Sequence, residues 1–94
     1  MSTTPHIAII TPTYQREVGI KSLYDSIICQ DSPRIKWHFI IINDSPDSST
    51  AFLEDIAPDS RVIIHHNTTN IGPLISRNTG IEIAFELGAE AVAF

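Results

Sequence analysis

Asp44 closes the apolar run "FIIIND" and opens the polar stretch "NDSPDSST". A carboxylate only accepts hydrogen bonds, so an acid at a strand's mouth selects a ligand edge that offers a donor. The bland alternative is that Asp44 and the serines after it cap a following helix. Two further polar stretches, "TPTYQR" from Thr11 and "NTTNIG" from Asn67, follow apolar runs in the same way. The other candidates carry less chemistry. His65 and His66 are neighbours on a strand, so they point to opposite faces and cannot share one metal. His6 and His38 add no known ligand spacing, and no metal site is expected in this chain. Cys29, one helical step beyond an apolar stripe and without a neighbouring histidine, reads as a buried inert thiol. Trp37 reads as a packing residue and Lys21 as part of a solvated helix face. There is no G-x-G-x-x-G after the first strand and no G-x-x-x-x-G-K-[ST], so a dinucleotide fingerprint and a P-loop are both excluded. Whatever binds must be held by side chains such as Asp44 and by scattered backbone amides.

These residues need a scaffold. "HIAIIT" (6–11), "KWHFIII" (36–42) and "RVIIHH" (61–66) are short Ile-rich runs, the pattern of strands covered on both faces. Ile20, Leu23, Tyr24, Ile27 and Ile28 recur at helical spacing and make one face of a helix of about four turns. "QDSPR" ends that helix, because the residue before Pro33 is biased away from it. "DSST" offers N-cap candidates for a short helix carrying Phe52, Leu53 and Ile56, closed by Pro58. Gly72–Pro73 opens a last helix that stops at Gly88, and "AVAF" begins a fourth strand. The order β-α-β-α-β-α-β predicts a three-layer α/β/α fold on a mostly parallel four-stranded sheet. In an open parallel sheet, ligands bind outside the carboxyl ends of the strands, and all three polar stretches occupy those ends.

Ninety-four residues allow one small domain. A net charge of −5 with only six Lys and Arg argues against nucleic acid. No apolar run approaches the roughly 20 residues of a bilayer span, and "MSTTPH" has no signal-peptide character. A lone cysteine weakly favours a reducing compartment, so a cytoplasmic location is expected. The sequence stops inside an apolar strand, from which a fragment or truncation is expected.

Four segments resemble family 2 glycosyltransferases of the GT-A fold. "IAIITPTYQR" resembles their first strand and P-T-Y-N-R turn, and "FIIINDSPDSST" their second strand and D-D-G-S-x-D turn. "NIGPLISRNTGIEIA" is similar to their N-x-G-x-x-x-A-R-N-x-G-I segment, and "GAEAVAF" to the strand leading into their D-x-D motif. The resemblance implies the Rossmann-like, N-terminal half of such a domain over residues 1–94, binding a nucleotide-diphosphate sugar of UDP, GDP or dTDP type. It implies that Thr11, Pro12, Thr13 and Tyr14 pack around base and ribose, and that Arg16, in the same turn, approaches the nucleotide. Asp44 would accept a hydrogen bond from a ring N–H of the base. Arg77 and Asn78 would lie on the diphosphate side, where a guanidinium offers a planar fork to phosphate. The chain departs from the pattern at Asn43, where the family has an acid, and at Ser45–Pro46, where it has Gly-Ser. In the intact enzyme the resemblance implies inverting sugar transfer with Mg²⁺ or Mn²⁺ held by the D-x-D acids, which would begin after Phe94. No catalytic residue, tightly bound metal or activity is therefore expected of this chain alone.

The rival readings are a non-catalytic nucleotide-binding or interaction module, a nucleotidyltransferase-like fold and a receiver-type phosphoacceptor domain. The second lacks its Gly-rich, Arg-containing loop, and the third lacks acids where Thr11 and Thr13 stand. The exposed edge Ala91–Phe94 is further expected to promote a homo-oligomer.

Overall fold

Ile40, Ile41 and Ile42 are all completely buried, which places their strand inside the sheet with a helix layer on each side. The structure, a computed structural model, describes residues 5–13, 17–30, 34–44, 56, 58–69 and 71–94. Its elements are β1 (His6–Thr13), α1 (Glu17–Cys29), β2 (Lys36–Asn43), β3 (Val62–His66), α2 (Pro73–Leu87) and β4 (Ala91–Ala93). The strand order is β3-β2-β1-β4, and every pair is parallel. From β1 the chain steps outward to β2 and β3, then crosses back to β4 on the other side of β1. The switch point therefore lies between β1 and β4. The expected α/β architecture on a four-stranded parallel sheet is what the chain adopts. The short helix expected to carry Phe52 and Leu53 falls outside the described residues, although Ile56 itself is buried.

Alternation along each strand sorts the side chains into two cores. Phe39, Ile41 and Val62 pack with Ile20, Trp37 and Ile56 on the α1 side. Ala8, Ile10, Ile40, Ile42 and Ala84 pack on the α2 side. Each fully buried Ile or Phe contributes about 1.5–3 kcal/mol relative to exposure. Gly80 allows α2 to lie directly on β1: a Cβ there would overlap Ile10 Cγ2. At the far end of α2, Gly88 is left-handed at φ 84° and returns its N–H to Phe85 O, the expected glycine stop.

β1 runs two residues further than the sequence suggests, through Pro12 to Thr13. Backbone parity explains how proline is tolerated. Thr13 O accepts from Asp44 N on the β2 side, so Pro12 faces the opposite edge, past the point where β4 stops pairing at Ile9↔Ala93. One expectation about α1 needs correcting: Cys29 is exposed. Ile20, Tyr24 and Ile27 carry the helix's contact with the core, and Cys29 lies roughly 200° round the axis from Ile27. Leu23 and Ile28 are also exposed. Trp37 is buried as expected, with the Arg61 guanidinium 4.1 Å above its ring. Arg61 in turn forks onto Asp59, which also accepts from the Tyr24 hydroxyl at 2.8 Å. This lock ties α1 to the loop that leads into β3.

Candidate functional site

The carboxyl ends of β1, β2 and β3 carry two polar groups of residues, one on each side of the sheet. On the α2 side, Asp44 follows β2 and Asn67 follows β3. Their backbones extend the ladder, Asp44 N donating to Thr13 O and Asn67 N to Asn43 O. Asp44 is only 4% exposed. Its Oδ1 accepts from Asn67 Nδ2 at 2.9 Å and from Ile71 N at 2.8 Å, and its Oδ2 accepts from Gly72 N at 2.8 Å. Asn67 Nδ2 also reaches the buried Ser76 Oγ at 3.1 Å.

Ile71 and Gly72 lie immediately before Pro73, the first residue of α2. Asp44 therefore sits as an anion at a helix N-terminus, where unsatisfied amides and the macrodipole both favour negative charge. Gly72 reaches φ 85° to aim its amide there, a conformation that side chains resist. Burial on its own pushes the Asp44 carboxyl upward. The hydrogen bonds from Ile71 N, Asn67 and Gly72 N outweigh it and hold the group below its usual value. Sequence pattern picks out Asp44 but does not by itself predict this cage. The signals were present in "NTTNIG": an asparagine at the strand's end and a glycine before a helix-opening proline.

On the α1 side, Thr13, Asn43 and His66 stand in one register row, Thr13↔Asn43↔His66. They continue the faces that carry Ile9, Ile41 and Ile64. Asn43 Nδ2 contacts His66 Nδ1 at 3.1 Å. Thr13 is 2% exposed, and its Oγ1 has no hydrogen-bond partner among the described residues. A buried hydroxyl without a partner is costly, and in native proteins it commonly marks a place where another group belongs.

The other expected site residues are distributed around this edge. Thr11 and Pro12 are half-buried on β1 just before Thr13. Arg77 and Asn78 are exposed in the second turn of α2, with the Arg77 guanidinium 5.7 Å from the Phe94 ring. Tyr14 and Arg16 lie outside the described residues. The structure thus gathers Thr13, Asp44 and the start of α2 at one edge of the sheet.

The histidines divide between the two ends. His65 and His66 are exposed at the carboxyl edge. His6 Nε2 and His38 Nδ1 lie 2.7 Å apart at the opposite end of the sheet. Among the described residues, no group of three or more His, Cys, Asp and Glu is arranged to hold a metal ion, and no helix is long and apolar enough to cross a membrane.

The family model described as "Glycosyl transferase family 2" matches residues 8–86, from Ala8 in β1 to Glu86 in the last turn of α2. The match includes both polar groups at the carboxyl edge. No curated protein matches the chain.

Proposed function

Because the chain belongs to glycosyl transferase family 2, we propose that its sheet edge binds the nucleotide-diphosphate part of a sugar donor, as the donor-binding portion of an inverting sugar transferase. The observation that carries this reading is the buried, unpartnered Thr13 hydroxyl at the carboxyl end of a parallel sheet, beside the switch point. Thr11, Pro12 and Thr13, with Tyr14 and Arg16 after them, would surround base and ribose. Arg77 and Asn78, on the exposed first turns of α2, would meet the diphosphate.

Asp44 enters in two ways. It fixes the loop before α2 through Ile71 N and Gly72 N, which sets the wall against which a ligand rests. It is also the acid to which the base N–H would be donated, a contact that must share the carboxylate with those two amides. The described residues do not fit Mg²⁺ or Mn²⁺, for want of a ligand cluster, so nothing in this reading runs through a metal. Calorimetric titration with UDP, GDP and dTDP tests it. Saturable binding of at least one nucleotide is expected, and absence of binding for all three would refute it.

A further inference from the structure

Asn43 stands where the family places an acid, and its partner His66 has no role in the reading above. Asn43 Nδ2 can only donate, so His66 Nδ1 accepts from it. The neutral ring then carries its proton on Nε2, and the exposed imidazole offers a single N–H donor. Two strands away in the same row, Thr13 offers a hydroxyl that both donates and accepts. Two interstrand spacings make this row roughly 10 Å long, comparable to a base and ribose lying side by side.

We propose that His66, oriented by Asn43, is a specificity-determining residue that selects a pyrimidine base with a carbonyl oxygen rather than an amino group at C4, while Thr13 takes a ribose hydroxyl. The matching is chemical. A ribose hydroxyl both donates and accepts, as Thr13 does. A one-way N–H donor tells a carbonyl from an amino group, which is the difference between uracil and cytosine at C4. The inference rests on the nucleotide reading above, and it makes His66 a reader of the base rather than a metal ligand or an idle surface group.

Titration with UDP and CDP tests it, using wild type, His66→Leu, His66→Gln and Thr13→Val. Wild type should bind UDP at least about three- to tenfold more tightly than CDP, the effect of one or more hydrogen bonds. His66→Leu should lower that ratio about three- to tenfold by weakening UDP alone, leaving what Asp44 contributes by accepting a ring N–H that cytosine lacks. His66→Gln should keep the preference, because its carbonyl can accept from Asn43 while its amide donates to the base. Thr13→Val should weaken both nucleotides equally. Long-range ¹H–¹⁵N spectra of the free protein should show the Nε2–H tautomer of His66. A wild type indifferent between UDP and CDP, or a ratio unchanged in His66→Leu, would overturn this inference and leave the nucleotide reading standing. Binding of neither nucleotide would overturn both.

Discussion

Replacing Asp44 should cost more stability than any other single polar change at the carboxyl edge. Asp44→Ala removes the acceptor of at least three hydrogen bonds, from Asn67 Nδ2, Ile71 N and Gly72 N among the described residues. Each hydrogen bond to a charged group is worth about 1.5–3 kcal/mol, and they are not additive. The alanine variant also leaves donors buried and removes the anion at the N-terminus of α2, an effect of about 0.3–2 kcal/mol. Together these give an expected loss of about 3–5 kcal/mol, the range seen when one partner of a buried charged group is deleted. A domain this small has roughly 5–15 kcal/mol to lose. Asp44→Asn is milder. Its one carbonyl oxygen can keep two donors, but its NH₂ then faces the third, for a loss of about 1.5–3 kcal/mol. Urea denaturation of the three proteins measures these values, and amide exchange at Ile71 and Gly72 reports the local contacts. A loss below about 1 kcal/mol in Asp44→Ala, with exchange at both amides unchanged, would refute this role for the Asp44 cage.

Thr13→Val should raise the melting temperature, since it replaces a buried hydroxyl lacking a partner with a methyl of the same shape, for a gain of about 1 kcal/mol; a lower melting temperature would show that the hydroxyl is satisfied. Gly80→Ala should destabilise by about 1–3 kcal/mol in urea titrations despite better helix propensity, because the new methyl overlaps Ile10. Acid should act in two stages. Burial first, then the neighbouring charges of His6 and Lys36, lower the His38 pKa, so the fold keeps this ring neutral while the unfolded chain protonates. Stability is then constant above the ordinary histidine value, about 6.5, and falls as pH drops below it toward the lowered folded value. His38→Gln should abolish that first fall in a pH series of urea midpoints. Asp44 and Asp59, both lowered in the fold, give a second loss below about pH 4, as pH falls from their unfolded value toward their folded ones.

The strands, the last helix with its Gly88 stop and the parallel arrangement were legible because they are written in local pattern: Ile-rich runs, a Gly–Pro opening and a closing glycine. The extension of β1 through Pro12 was not, since proline signals a break unless its missing N–H faces an unpaired edge, and that depends on where β4 ends. The misplaced Cys29 has a similar origin. An apolar stripe read from five residues is wider than the face that Ile20, Tyr24 and Ile27 actually bury. At the site, the position of Asp44 followed from topology alone. Its cage did not, because it draws on the backbone amides of Ile71 and Gly72, which only the weak Asn and Gly–Pro signals of "NTTNIG" hint at. The row Thr13–Asn43–His66 depends on strand register across segments 23 and 30 residues apart in sequence, and nothing local encodes that.

The central claim is that the carboxyl edge of the sheet is a nucleotide site. Titrating ¹⁵N-labelled protein with UDP and GDP, and mapping which amide signals move, tests it most directly. The account predicts saturable shifts confined to the residues from Thr11 to Arg16, Asn43, Asp44, the residues from His66 to Gly72 and the first turns of α2. Shifts clustered instead around His6 and His38 at the opposite end of the sheet, or no saturable shift at all, would contradict it.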